Sequence, residues 1–524
     1  MQQPFLRFKL NESIKLRDYQ KDIISSILRS KSNSLVILPT GTGKTIIAIY
    51  VILAYANIGK KALFLAPTKP LAEQHYKTVL SITNLTDNQI ALAIGSKSYD
   101  ERATIYKNSY IVVATPQTIK NDLERGLIDL KDFSLIVFDE AHKAVGRYAY
   151  AILAEKALES NIRIIALTAS PGGSKSKIIS LLSLLNIGHI EIRSEQDKDI
   201  IDYIPTKLVK ILQIALYREL QEIADKIAIV IDEHMQRLYE RNLSAFRNFR
   251  TAPKSYILSM ADSIRKIEDS TSRYISFLDY SYVLHLMHAH ELLTVEGLDQ
   301  FLSYIYDLRS KASKSRNIRA ILNNSNLQEA VKEAELLKSN GYRHPKVDRV
   351  LDLLNTVLKD RKVIIFAQYK STINVLNDYL RSNNIKVLPF MGKNKGMSQR
   401  LQEEFIERFR TEDYQVLVST SIGEEGLDIP AVDAVIFYEA IPSEIRSIQR
   451  KGRAGRIKAG EIYILVTRDS RDEYNLRVVS LKERRMHELI YKIKNMLESG
   501  YDIKSIKRIL LNGDRQRTLK DFMR

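Results

Sequence analysis

Short apolar runs recur along the first 200 residues, each separated from the next by enough chain to form a helix. SLVIL (34–38), ALFLA (62–66), YIVVAT (110–115), SLIVFDE (134–140) and RIIALT (163–168) are almost continuously apolar and rich in β-branched residues. A strand has that composition when both its faces are buried, as happens when crossover helices cover a parallel sheet. The pattern predicts a doubly wound α/β domain. It returns after residue 345 in VIIFAQ (363–368), IKVLPF (385–390), YQVLVST (414–420), DAVIFYE (433–439) and EIYILVT (461–467). Between the two series, apolar residues follow helical spacing, as in ELQEIADKIAIVIDEHMQRLYE (219–240) and NLQEAVKEAELLKS (326–339). The expected layout is a first α/β domain over 1–205, an all-helical insert over 206–345, a second α/β domain over 346–475, and a basic helical tail over 476–524.

Composition narrows the partners. No run of about 18 uncharged apolar residues occurs, so no membrane span is expected, and MQQPFLRFKL holds no apolar stretch long enough for a secretory signal. Cysteine is absent. That excludes disulfides, thiolate metal sites and cysteine nucleophiles, and it suits a reducing cytoplasm. The net charge of +18 points to a polyanion, with nucleic acid ahead of a membrane surface. From Arg477 to Arg524 there are 13 Lys/Arg against 6 Asp/Glu. A protein of this kind would work in the cytoplasm beside the nucleoid.

LPTGTGKT (38–45) follows the first strand and opens a helix. Thr40, Gly41, Thr42 and Gly43 can turn the backbone so that its N–H groups surround phosphate oxygens at the helix N-terminus. Lys44 then reaches the outer phosphates, and the Thr45 hydroxyl is placed to join Mg²⁺. Leucine stands at 38 where the strict phosphate-loop pattern has glycine. FDEAH (138–142) closes another strand of the same series. There Asp139 would hold Mg²⁺ and Glu140 would orient or deprotonate an attacking water. Small hydroxyl residues in TAS (168–170) can hydrogen-bond that acidic loop and link nucleotide state to domain position.

The second α/β series lacks a phosphate loop, yet it carries STSIGEEGLDIP (419–430) and QRKGRAGR (449–456). Four cations within eight residues read either as a basic patch or as arginines needed at fixed positions. Glycine turns in a domain with no nucleotide cradle of its own favour the second reading. Gln449, Arg453 and Arg456 then belong to the catalytic set, with the two arginines meeting the γ-phosphate, and Gly426 and Asp428 border the nucleotide. Arg450 and Lys451 serve structure or a nucleic-acid backbone.

Taken in order, these residues resemble a superfamily 2 helicase of the DEAH-box type. LRDYQ (16–20) resembles the adenine-reading motif of that family, with Arg17 and Gln20 as contacts. APTKPLAEQH (66–75) and ATPQTIKND (114–122) resemble the strand-gripping motifs of its first RecA-like domain. FAQYKST (366–372) and MGKNKGMSQ (391–399) resemble those of its second. On this resemblance Thr68, Thr115, Gln368 and Thr420 hold the phosphates of a strand. An all-helical domain inserted between two RecA-like parallel-sheet domains is similar to the archaeal Hef helicases, the Fanconi anaemia group M helicases, and the Dicer and RIG-I-like enzymes. LHLMHAHELLTVEGLDQFLSYI (284–305) and SLKERRMHELIYKI (480–493) resemble Hef in particular.

The resemblance implies Mg·ATP-driven translocation on DNA, with replication forks and Holliday junctions as substrates in repair and fork restart. Two alternatives stand beside it: a duplex-RNA-stimulated ATPase of the RIG-I or Dicer type, and an adaptor that binds nucleic acid without hydrolysing nucleotide. ERRMHEL (483–489) partly imitates a nuclease pattern but has leucine in place of its aspartate, so no nuclease is expected here and a separate one remains a partner to consider. RNLSAFRNFRTAPK (241–254) places Arg247 and Arg250 around Phe246 and Phe249. It reads equally as a strand-contacting loop and as core phenylalanines beneath a solvated basic face. KASKSRNIR (311–319) reads as a solvated face. The tail QRTLKDFM (516–523) resembles a sliding-clamp-binding peptide, with Gln516, Leu519 and Phe522 in the matching positions.

Overall fold

The computed structural model describes residues 7–39, 41–146, 148–172, 174–194, 197–203, 208–390, 399–420, 432–440 and 460–511. Two parallel sheets organise the chain. The first contains β1 (Asn33–Ile37), β2 (Lys61–Leu65), β3 (Ile90–Ala93), β4 (Ile111–Ala114), β5 (Phe133–Phe138), β6 (Arg163–Thr168) and β7 (Ile187–Ile192), in the order β3-β4-β2-β5-β6-β1-β7. The second contains β8 (Leu208–Ile214), β9 (Val363–Phe366), β10 (Val387–Phe390), β11 (Val416–Ser419), β12 (Ala434–Phe437) and β13 (Glu461–Thr467), in the order β10-β11-β9-β12-β13-β8. All ten apolar runs of the sequence lie on strands. Their side chains are buried on both faces, as the continuous apolar composition requires.

Helices cover the first sheet. α1 (Asp18–Arg29), α2 (Lys44–Asn57) and α3 (Lys69–Ile82) pack their buried faces on one side with Tyr19, Ile47, Val51 and Val79. Strand order sets up the chemistry. β6 lies between β1 and β5, so TAS emerges between the phosphate loop and the acidic loop, with Ile37 paired to Thr168 and Phe138 to Ala166. Ligands of such sheets bind beyond the carboxyl ends of the strands.

One domain boundary differs from expectation. Residues 208–214 do not open the helical insert; they form β8, which pairs parallel with β13 along its whole length. LVKILQI alternates strictly, with Val209 and Ile211 exposed and Leu212 and Ile214 turned inward. Apolar residues on both faces hide that period of two in the sequence. The chain therefore lays an edge strand on the second sheet before it enters the insert, whose helices run from Arg218–Glu240 to Ser325–Ser339.

The tail is not a separate unit either. The 28-residue helix Arg471–Glu498 starts in the second domain. There Asp472 accepts from Lys346 Nζ at 2.5 Å and from the Ala440 N–H at 2.9 Å. Further on, Met486, Ile490 and Ile493, followed by Ile503, Ile506 and Leu510, complete the core of the first domain beneath β5, β6 and β7. Lys494 and Arg193 flank Glu191 there, at 3.7 and 3.5 Å.

Candidate active site and nucleic-acid interface

The phosphate loop takes the conformation its glycines permit. Gly41 and Gly43 both lie at φ +83°, in the left-handed region where a Cβ is strained. Thr42 is buried and donates its hydroxyl to the Pro39 carbonyl at 2.7 Å. Lys44 opens α2 and donates from Nζ to the carbonyls of Leu38 and Pro39, at 2.9 and 3.1 Å. Thr45 follows on the same first turn.

Gln20 is buried behind this loop. Its Nε2 donates to the Thr42 carbonyl at 3.1 Å, and its Oε1 accepts from the Arg17 N–H at 3.0 Å. The Tyr19 hydroxyl also donates to the Thr42 carbonyl. The Arg17 guanidinium lies over the Tyr203 ring, 4.8 Å from its centre. Of the two residues expected at the base of a nucleotide, Gln20 thus braces the backbone of the phosphate loop directly, and Arg17 adjoins Gln20.

At the end of β5, Asp139 is buried and its Oδ2 lies 2.7 Å from His75 Nε2. Burial alone would raise its pKa. The hydrogen bond from His75 and the charge of Lys44 overcome that and hold the carboxyl below the usual value, so it is ionised. The Tyr150 hydroxyl fixes the backbone by donating to the Asp139 carbonyl at 2.8 Å. Glu140 adopts φ +48°, uncommon for a residue with a side chain and typical of functional turns.

A polar relay leads away from Glu140. Its Oε2 lies 3.4 Å from His142 Nδ1, which lies 3.0 Å from Thr168 Oγ1. Thr168 accepts from the Ser170 N–H at 3.1 Å. The hydroxyl residues of TAS therefore engage the acidic loop through His142. His75, Tyr150 and His142 carry no role in the sequence reading, because nothing in local spacing says which carboxylate they will meet. Together these groups fit Mg·ATP: left-handed glycines at a helix N-terminus, an ammonium for phosphate and an ionised carboxylate for the metal. Thr40, Gly426, Asp428, Gln449, Arg453 and Arg456 lie outside the described residues, as do Gln516, Leu519 and Phe522.

The residues expected to grip a strand sit on the carboxyl edges of both sheets. Thr68 follows β2, Thr115 follows β4, Gln368 follows β9 and Thr420 follows β11. The hydroxyl oxygens of Thr68 and Thr420 are buried and have no hydrogen-bond partner among the described residues. Thr115 Oγ1 lies 2.8 Å from Thr118 Oγ1. An open cleft of about 530 Å³ beside Thr115 is lined by Lys69, Lys97, Ser98, Arg102 and Gln117 among others. The Gln368 side chain is exposed, and its backbone N–H donates to Glu439.

In the insert, one of two open readings prevails. Phe249 is buried in the helical core with its ring edge-on to His290, and Phe246 packs against the same core and Tyr256. The Phe249 ring is not available to stack on a base, and the Phe246 ring is half-buried. Arg247 lies over Tyr239 at 4.6 Å, and Arg250 pairs with Asp225 at 3.3 Å. Both arginines occupy exposed positions on the loop.

Comparison with known proteins places this geometry. The family profile described as DEAD/DEAH box helicase matches residues 17–178, and that described as helicase conserved C-terminal domain matches 345–458. A Methanocaldococcus jannaschii protein that carries the name of an ATP-dependent RNA helicase is 37% identical over 493 residues, covering 93% of this chain and 61% of its own. The ATP-dependent DNA helicase mph1 of Neurospora crassa is 32% identical over 489 residues, covering 87% and 41%. The chain thus spans between two fifths and three fifths of the length of these relatives. The crystal structure of the Pyrococcus furiosus Hef helicase domain superposes with a TM-score of 0.68 at 35% identity, covering 87% of this chain and 97% of that one.

Proposed function

The chain belongs to the DEAD/DEAH-box helicases of superfamily 2, in the group of the archaeal Hef and Fanconi anaemia group M helicases, and from that premise we propose that it is an ATP-dependent DNA helicase or translocase acting on branched DNA, forks and four-way junctions, in repair and fork restart. The observation that carries the reading is the meeting of Lys44, Asp139 and Glu140 at one sheet edge, with strand-gripping threonines on the same edge of both sheets.

Bound Mg·ATP supplies a phosphoanhydride and a metal that neutralises its charge. Lys44 exchanges its loop carbonyls for phosphate oxygens. Asp139, ionised and held by His75, offers its carboxylate to the metal. Glu140 receives the proton of the attacking water at its carboxylate, with the His142 imidazole 3.4 Å away. Arg453 and Arg456, assigned from sequence alone, stabilise charge developing on the transferred group. Thr68 and Thr115 grip the strand from the first domain and Thr420 and Gln368 from the second, so a change in domain separation moves the grip along the backbone. Phosphate contacts carry no base identity, and the relatives' names divide between DNA and RNA.

The test compares phosphate release and strand displacement with forked DNA, four-way junctions, linear duplex DNA and duplex RNA. Branched DNA should stimulate turnover most and be unwound, and Lys44→Ala should reduce turnover to background while retaining DNA binding. Greater stimulation by duplex RNA would move the assignment to an RNA-directed ATPase. Wild-type turnover in Lys44→Ala would overturn the site.

A further inference from the structure

α3 joins the two halves of the site in the first domain. Thr68 is its N-cap, with extended backbone and a buried hydroxyl that has no partner among the described residues. His75 lies seven residues along, two turns on and therefore on the same face of the helix. Its ring is buried and stacked on Phe64 of β2, with centres 4.7 Å apart and planes 15° apart. Phe64 is fully buried in the sheet. The imidazole is thus confined to one plane, with Nε2 directed at Asp139 Oδ2. A helix presenting a strand-gripping hydroxyl at one end and a fixed hydrogen-bond donor to the metal-holding carboxylate two turns away is built to move both together.

We propose that His75 is a positioning residue that sets the orientation of the Asp139 carboxylate and passes the capture of a nucleic-acid phosphate by Thr68, through rigid displacement of α3, to the metal end of the ATP site. The inference rests on the strand-gripping role of Thr68 proposed above. It accounts for a buried imidazole within a segment otherwise read as a nucleic-acid motif. It also makes nucleic-acid-dependent turnover a property of α3 as well as of domain closure.

His75→Phe keeps a ring on Phe64 and deletes the donor; His75→Gln restores an amide nitrogen at about the reach of Nε2. Three quantities are measured: Mn²⁺ binding in the presence of ADP by electron paramagnetic resonance, single-stranded DNA affinity in EDTA, and the ratio of DNA-stimulated to unstimulated phosphate release. His75→Phe should weaken Mn²⁺ binding and lower the stimulation ratio by at least about five-fold, the lower range of ordinary coupling between sites. DNA affinity should stay within about two-fold, a change of under half a kcal/mol, and His75→Gln should recover the ratio. Thr68→Val should also lower the ratio, and the double variant should be no worse than the poorer single one. An unchanged ratio in His75→Phe overturns the proposal, as does a loss that simply adds to that of Thr68→Val. Weakened Mn²⁺ binding with an unchanged ratio overturns it too, because it confines His75 to the metal. A wild-type protein with no stimulation by any nucleic acid would overturn the strand-gripping reading itself, an outcome distinct from stimulation that survives His75→Phe.

Discussion

The hydroxyl of Ser170 donates to the sulfur of Met486 at 3.1 Å, joining residues 316 positions apart in the chain. Both are buried. Ser170 ends the relay that starts at Glu140, and Met486 lies midway along a helix whose first turn is bolted to the second domain. Met486→Ala should destabilise the first domain by about 2–5 kcal/mol through the cavity it leaves. It should also release the amides of residues 484–498 to faster hydrogen exchange, while the first turn at Asp472 stays protected. Met486→Leu, of similar volume, should retain most of the stability. Equal exchange in Met486→Ala and wild type would show that the contact anchors nothing.

Thr68 and Thr420 should behave in an unusual way when replaced by valine. Each hides a hydroxyl oxygen that makes no hydrogen bond among the described residues. Removing an unpaired buried polar atom without changing shape costs little and can stabilise by about 1 kcal/mol or more. Thr68→Val and Thr420→Val are expected to keep or raise the melting temperature while weakening single-stranded DNA binding in a fluorescence anisotropy titration. A variant that loses stability and keeps full affinity would mean that the hydroxyl serves the fold.

Glu296 makes stability depend on pH. It is buried between the insert and the second domain, where the Thr372 hydroxyl donates to its Oε2 at 2.6 Å. Burial, with the charge of Glu439 added, pushes its carboxyl well above the ordinary 4.5. The folded chain therefore keeps a proton that the unfolded chain releases near 4.5, and this contribution to stability declines as pH rises from there toward the folded value. Glu296→Gln cannot titrate. Its melting temperature should gain on that of wild type as pH rises above about 4.5, and parallel curves would sink the assignment.

Lys346 and Asp472 form an ion pair with both side chains at most 1% exposed. Lys346 Nζ also donates to the Val295 carbonyl of the insert at 3.2 Å. Lys346→Met leaves a buried carboxylate uncompensated and should cost about 3–5 kcal/mol. Adding Asp472→Asn should recover part of that loss. Urea unfolding is followed by tyrosine fluorescence, since the chain has 27 tyrosines and no tryptophan. Additive losses in the two single variants would mean that the charges do not interact.

Much of the architecture is legible because burial on both faces writes itself into composition: RIIALT spans the same residues as β6. What escapes is instructive. β3 (IALA) is apolar but only four residues long and half alanine, a residue with little strand preference, and IGHIEI in β7 is broken by Gly188, His189 and Glu191. The phosphate loop and acidic loop are legible because their chemistry fixes residue type and spacing together. His75 is not, because its partner Asp139 is brought to it by the pairing of β2 with β5, and neither is Tyr150, which meets the Asp139 carbonyl only when the chain after β5 folds back as the helix Tyr148–Glu159. Phe249 owes its place in the core to a tertiary contact that local spacing does not reveal: Asp232 accepts its N–H at 3.0 Å, and the ring is buried among the insert helices.

Because β8 precedes the insert and the rest of its sheet follows it, the second half of the protein cannot be cut out in one piece. A fragment starting at Pro345 would carry β13 with one rim bare, and that raw border would invite stacking with its own copies. Anyone wishing to study that half alone must stitch Leu208–Ile214 back on through an artificial tether. During synthesis, too, the ribosome must release about 250 further residues, at least about twelve seconds' work at ordinary rates, before the waiting strand meets β13, its neighbour in the sheet.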